Sequence, residues 1–103
     1  MFETWSYESD RPVSLGALRQ MVQRELPASV YRCKGIVFAA DSPDKRLALQ
    51  VVGRRTEISE LDAWGKRTPL TQIVAIGAQI DAQELSEKFD ACIEQSDGSE
   101  VRL

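Results

Sequence analysis

Four basic residues stand out because two of them lie on each of two separate stretches of the chain. Arg32 and Lys34 alternate with apolar neighbours, and Arg54 and Arg55 follow a later apolar run. If both stretches are strands of one sheet, the four cations can meet as a basic patch on one face. Such a patch could dock acidic groups of a partner, or it could be a solvated face whose cations pair with cross-strand carboxylates such as Glu57. The sequence leaves both alternatives open.

Two glycines and one tryptophan accompany these cations. Gly35 lies inside its stretch, where a glycine weakens a strand and so indicates a bulge or the close approach of another backbone or helix. Trp64 lies in a charged, glycine-containing segment, and we expect it to fold back as a lid over a groove. The candidate interaction surface therefore consists of Arg32, Lys34, Gly35, Gly53, Arg54, Arg55 and Trp64.

The residues that catalysis or metal binding would need are missing from the sequence. There is no histidine, so neither a Ser-His-Asp triad nor the usual zinc ligand sets can be assembled. Cys33 and Cys92 form no CxxC pair, and Gly65-Lys66-Arg67-Thr68 lacks the leading glycine of a phosphate-binding P-loop. Acidic residues near Glu57 lie in polar surroundings where water solvates them. We therefore predict no catalytic, cofactor-binding or metal-binding residue, and no enzymatic activity for this chain by itself.

Length and charge narrow the class of protein. A chain of 103 residues is one domain, large enough to bury a core without a disulfide or metal. Its net charge of −3 argues against nucleic acid and anionic membranes as partners, because both select for concentrated positive charge. No run approaches the roughly 20 apolar residues of a membrane span, and the N-terminus lacks the pattern of a secretion signal. We expect a cytoplasmic protein whose two thiols are free.

Hydrophobic periodicity predicts the elements that would position the candidate surface. Val30 to Ala40 is predicted to be the middle strand, and Phe2 to Tyr7 an early strand whose abrupt start suggests a domain cut from a longer protein. Ser14 is a helix N-cap before an apolar stripe that ends near Leu26. Asp81 and Glu84 form a capping box for a second amphipathic helix.

The remaining segments complete the predicted order β-α-β-β-β-β-α. We predict a turn at 41–45, strands at 47–52, 54–59 and 70–77, and a surface loop at 61–69. Helices with one apolar stripe, beside strands joined by short turns, favour an α+β fold in the form of a two-layer α/β sandwich. Its antiparallel sheet would have four or five strands, with both helices on one face. The domain would comprise residues 1–95, and 96–103 would be a polar C-terminal tail.

In their order and spacing, these segments resemble the C-terminal domain of the CobW family of P-loop GTPases. The resemblance extends roughly from Phe2 to Ile93. It is carried by Trp5-Ser-Tyr with Arg11-Pro12, the Leu26-Pro27 helix end, Arg32-x-Lys34-Gly35, Leu49-Gln50-Val51-Val52-Gly53, Trp64, Val74-x-Ile76-Gly77, and the Leu85 to Cys92 helix with its Asp-Ala-Cys ending.

The resemblance implies a module of a larger metal-insertion chaperone. In that family an N-terminal domain binds GTP with magnesium and carries a CxCC motif for a transition metal, while the C-terminal domain helps to present the metal or engages a client protein. This chain has neither the P-loop nor the CxCC motif, and it also lacks the histidines that many members carry. GTP, magnesium and a metal such as zinc or cobalt are therefore implied for a parent protein rather than for this fragment.

Three functional hypotheses follow, the third of them nominal. The first is a non-catalytic regulatory or client-docking domain, whose partners would be the N-terminal GTPase domain of the same parent and a metalloprotein client. The second is a free-standing module that binds a small ligand or oligomerises, using the exposed sheet face or the groove beneath Trp64. An enzyme acting through surface carboxylates is a nominal third.

Overall fold

Five strands form one antiparallel sheet in the computed structural model, which describes residues 1–94. The elements follow the order β1 (Glu3–Ser9), α1 (Leu15–Arg24), β2 (Val30–Ala39), β3 (Ser42–Val52), β4 (Arg55–Ala63), β5 (Thr71–Gly77) and α2 (Ala82–Asp90). This order confirms the predicted fold class and element sequence. The predicted tail at 96–103 lies outside the described residues.

The strands are arranged in space as β1-β5-β2-β3-β4. β2 therefore occupies the centre of the sheet, as its sequence predicted. β5 inserts between β1 and β2, so that among the strands of residues 1–94 β1 pairs with β5 alone. β3 and β4 follow β2 as consecutive hairpins on the other side.

Both helices begin at the predicted caps. The Ser14 hydroxyl accepts a hydrogen bond from the Ala17 backbone N–H at 3.3 Å, and the Asp81 carboxylate accepts one from Glu84 N–H at 3.1 Å. Each bond satisfies a donor that the first helical turn would leave unpaired. α1 ends at Arg24, two residues before the predicted end near Leu26.

The core lies between the two helices and one face of the sheet. Alternate residues of each strand point into it, and helix residues close it from the other side. Its largest fully buried side chains are Phe89, Leu18, Leu49, Ile73, Leu85, Val13, Val37 and Val51, and Thr71 and Cys33 are buried beside them. We refer to this side of the sheet as the helix-covered face.

An aromatic cluster joins the first strand to the last helix. The Phe89 ring lies 5.5 Å from Trp5 and 5.3 Å from Tyr7 between centroids, and the Tyr7 hydroxyl donates to Asp90 at 2.7 Å. Burial and the neighbouring Asp90 carboxylate raise the pKa of Tyr7 well above its usual range. These contacts fix α2 over β1.

Two predicted boundaries were wrong. β3 begins at Ser42 although 41–45 has the composition of a turn, because the hairpin closes tightly at Ala40-Asp41. Pro43 is tolerated there because it lies where the ladder with β2 is irregular, between Ser42 and Leu47, and before the first pair of β3 with β4, at Lys45. β4 likewise continues to Ala63, into the segment predicted to be a loop.

Among the described residues, neither helix has the length and apolarity needed to cross a membrane.

Candidate docking surface

Three of the seven candidate residues lie on the sheet face opposite the helices, which we call the open face. Strand register arranges this face in rows. One row runs across β5, β2, β3 and β4 as Ile76, Arg32, Val52 and Arg55. The next row runs as Val74, Lys34, Gln50 and Glu57. The register therefore brings together three of the four predicted cations: Arg32, Lys34 and Arg55.

Exposed apolar side chains occupy the same rows. Val52 is 45% exposed at the end of β3, and Val74 is 40% exposed in the middle of β5. Phe2 and Tyr31 are also exposed and pack edge to face at 5.8 Å near the same end of the sheet. We define the basic–apolar surface as Arg32, Lys34, Val52, Arg55, Val74 and Ile76.

The cations of this surface have no acidic partner within the described residues. Both salt bridges found in residues 1–94 use Asp62, which accepts from Arg46 at 3.0 Å and from Arg67 at 3.1 Å. Hydrogen bonds from Arg67 and Arg46 hold the pKa of that carboxyl below its ordinary value. Glu57, the suggested cross-strand partner, makes no such bridge. The three cations of the surface are thus unbridged in this part of the chain, with Glu57 as the acidic residue of the same face.

A shallow cavity of about 130 Å³ opens among these side chains. Arg32 and Lys34 supply its charge, and the Gln50 amide supplies a neutral donor and acceptor. Val52, Val74 and Ile76 provide apolar lining. The arrangement suits a carboxylate carried on an apolar surface, because the cations would bind the charge while the valines pack against its surroundings.

The fourth cation and the two candidate glycines have different placements. Arg54 lies in the β3–β4 turn and lines a groove with Leu26, Pro27 and Tyr31 at the end of α1. Gly53 has a φ of 59°, so it is required by that turn. Gly35 lies where the backbone of β5 approaches β2 closely, as predicted. A Cβ there would collide with the Gln72 carbonyl and the Ile73 Cα.

Trp64 lies apart from the basic–apolar surface. It is only 7% exposed, follows the end of β4 and packs edge to face on Phe38 at 6.0 Å. Its backbone N–H donates to Asp44, and its carbonyl accepts from the Arg67 side chain. The buried indole N–H has no hydrogen-bond partner among the described residues. Trp64 thus packs against the end of the sheet opposite the cations, and the groove expected beneath it stays a prediction.

Neither cysteine is suited to chemistry. Cys33 and Cys92 are both free and buried, and burial raises the pKa of Cys33 to about 12 and that of Cys92 to about 11. Thiols of this kind are protonated and unreactive at neutral pH. In residues 1–94 no three His, Cys, Asp or Glu side chains come together as a metal site. The described residues therefore do not fit the metal that the sequence resemblance implies for a parent protein.

Comparison with known families now identifies the architecture. Residues 2–93 match the model of the cobalamin synthesis protein cobW C-terminal domain. The chain belongs to the CobW C-terminal domain family. Among curated proteins, none matches the sequence significantly.

Solved structures agree with this CobW assignment. The Zn(II)-bound YjiA GTPase from E. coli matches with a TM-score of 0.77 and 25% identity, over 90% of this chain and 30% of that one. A Zn(II)-bound triple mutant of the YjiA GTPase matches at 0.76 and 24%, with the same coverage. The chain thus spans about 30% of the length of these GTPases.

Sequence reasoning missed several members of the CobW domain's basic–apolar surface. Val52, Val74 and Ile76 were assigned only to apolar strands, and Gln50 had no role. Alternation along each strand was a usable signal, because it separates Arg32 and Lys34 from the buried Cys33. It could not show which strands are neighbours, and the neighbours decide which side chains share a row.

Proposed function

We propose that this CobW C-terminal domain is a non-catalytic docking module of a larger GTPase that delivers a metal such as zinc or cobalt, or assembles a metal cofactor. Its basic–apolar surface contacts the N-terminal GTPase domain of the same parent or a metalloprotein client. The family match and the 30% coverage of the YjiA GTPases support a parent with a further domain.

One observation carries the proposal. On the open face, the cations of Arg32, Lys34 and Arg55 alternate with exposed Val52 and Val74, and none of these cations forms a salt bridge within residues 1–94. Water solvates isolated cations well, but interleaved valines gain free energy only when another surface covers them. A partner with carboxylates among apolar side chains would satisfy both groups together.

The parent architecture has a direct test. GTP and magnesium would be bound by the N-terminal domain, since the docking module holds no phosphate-binding loop. The reading frame that encodes this chain should therefore also encode a GxxxxGK[ST] sequence upstream of Met1. A frame without that sequence would refute the proposed parent.

Charge reversal tests the docking surface itself. In the full-length parent, Arg32→Glu with Arg55→Glu should weaken the contact between the two domains, and the separate domains should associate at least tenfold less tightly in titration calorimetry. Arg19→Glu with Lys66→Glu is the matched control, because both residues are exposed elsewhere and the change in net charge is the same. Equal effects of the two pairs, or none from the first, would count against docking at this surface.

A second candidate function is binding of a small ligand near Trp64, and the unpartnered buried indole N–H favours it. A buried donor without an acceptor is unfavourable, so a ligand oxygen that reached it would be stabilised. Trp5→Phe leaves Trp64 as the only tryptophan, and its fluorescence can then be followed while metabolites are added. A saturable change in that fluorescence would support this alternative.

A further inference from the structure

The two edges of the sheet differ in how they are protected against pairing with another strand. β4 is blunted in several ways. Its register with β3 shifts between Arg46 and Leu47, and it presents charged residues along its length at Arg55, Glu57, Glu60 and Asp62. Bulges and charges of this kind are the usual devices that keep an edge strand from adding a neighbour.

β1 has none of these devices over its central residues. Its seven residues pair with β5 in one unbroken register. Its charges lie near the two ends and are tied to the same molecule: Glu3 accepts from Ile80 N–H at 2.9 Å, and Glu8 accepts from the Gln72 side chain at 2.9 Å. Within residues 1–94, no backbone hydrogen bond reaches the outer side of β1.

The sequence of β1 is also complementary to itself. In an antiparallel pair centred on Ser6, Trp5 lies opposite Tyr7 and Thr4 lies opposite Glu8. Glu3 then faces Ser9, so no like charges meet directly across the pair. Aromatic cross-strand pairs are among the more stabilising ones, and all seven residues of each strand take part in this register.

We propose that β1 pairs antiparallel with β1 of a second copy, around a two-fold axis through Ser6. The two sheets then form one continuous sheet, in which residues facing each other across the axis point to the same side. Both basic–apolar surfaces consequently lie on one side of the dimer. This inference uses the edge of the sheet rather than the open face, so it stands or falls independently of the proposed docking role.

Ser6 gives a clean test because its side chain is exposed and its own copy would face it across the axis. Two lysines there would repel each other at the closest cross-strand distance. The wild-type chain should approach twice its 11.5 kDa mass in sedimentation experiments as its concentration rises from micromolar to millimolar, whereas Ser6→Lys should stay monomeric. Ser59→Lys, an equally exposed serine on the β4 edge, should dimerise like the wild type.

Mixing two variants of opposite charge tests whether the pairing can be restored. Ser6→Lys and Ser6→Glu should each be monomeric alone and should form a heterodimer when mixed. Hydrogen exchange should show protection that grows with concentration for β1 amides but not for β4 amides. A wild-type chain that is monomeric throughout, equal behaviour of the Ser6→Lys and Ser59→Lys variants, or a dimer without protection of β1 would each overturn the proposal.

Discussion

The two faces of the sheet are built from the same strands and yet follow opposite rules. On the helix-covered face, Cys33, Val37 and Leu49 are almost completely buried, and the buried hydroxyls of Tyr7 and Thr71 are paired by hydrogen bonds. On the open face, Arg32 and Lys34 alternate with partly exposed valines of the neighbouring strands. The helices of the same chain cover one face. The other face carries cations without a salt bridge and exposed valines.

This difference separates stability from function within one element. Stepping one residue along β2, from Cys33 to Lys34, moves from a position that holds the fold to one that can change without loss of the core. Substitutions on the two faces should therefore have distinct signatures: large changes in unfolding free energy on one, and changes in association alone on the other. The following variants test that separation.

Phe89→Ala should have the largest effect. The ring is 2% exposed and packs against both Trp5 and Tyr7, so its removal leaves a cavity between α2 and β1. We expect a loss of about 3–5 kcal/mol in the free energy of unfolding by urea. Val74→Ala on the open face is the control and should cost less than about 1 kcal/mol. Similar losses of unfolding free energy in the two variants would show that the two faces do not differ in their contribution to stability.

Gly35→Ala should be nearly as severe, because the new Cβ would collide with the backbone of β5 rather than with a movable side chain. We expect a destabilisation of about 3 kcal/mol, since β2 and β5 must separate at the centre of the sheet. Gly16→Ala in α1 serves as the matched control and should be neutral or slightly stabilising, because its nearest neighbour is the Ser14 hydroxyl at 3.9 Å. Chemical denaturation of both variants measures the contrast.

Alkaline pH should lower the free energy of unfolding through the two buried thiols of the core. The folded-state pKa values of Cys33 and Cys92 are raised to about 12 and 11, above an ordinary value of 9.0. Their contribution to stability is therefore complete below pH 9 and is lost as the pH rises through 11 and 12. Each thiol adds a slope of up to about 1.4 kcal/mol per pH unit in that window.

Urea titrations at a series of pH values measure this slope. Cys33→Ala should flatten it without abolishing it, because Cys92 and Tyr7 contribute with the same sign. Stability that stays constant from pH 8 to pH 11 would show that the thiols are not protected by burial as the structure indicates.

Arg32→Glu with Arg55→Glu should have the smallest effect on folding. Neither side chain makes a salt bridge within the described residues, so the unfolding free energy should stay within about 0.5 kcal/mol of the wild type. Circular dichroism during thermal unfolding checks this. A large destabilisation would mean that the open face contributes to the fold, and loss of docking in this variant could no longer be attributed to the surface.

The features that the sequence predicted correctly are those that depend on neighbouring residues along the chain. Ser14 and Asp81 fixed the helix starts, and the alternation of Arg32, Cys33 and Lys34 predicted which side chains share a face. The resemblance to the CobW C-terminal domain was confirmed by the match over residues 2–93. The regulatory or client-docking role of Arg32, Lys34 and Arg55 remains a proposal.

Non-local pairing accounts for what was missed. The insertion of β5 between β1 and β2 brings Val74 beside Lys34 across 40 positions of sequence, and no local pattern encodes that neighbour. Ser42 to Lys45 has the composition of a turn, but Ser42 pairs with Ala39 of β2 and Lys45 pairs with Ala63 at the end of β4. Strand order and strand length both depend on which strands are neighbours in the sheet, and local sequence does not encode that.

The pairing of the first strand with the last one has a consequence for synthesis on the ribosome. β1 leaves the exit tunnel before the other strands of this domain, but its partner in the sheet formed by residues 1–94 is β5, and α2 packs over it later still. Until Thr71–Gly77 has emerged, Trp5 and Tyr7 are apolar side chains on an unpaired strand, a state that favours association with chaperones or with other nascent chains. Slowing translation between β4 and β5 should therefore reduce the yield of folded protein more than a pause of equal length after α2.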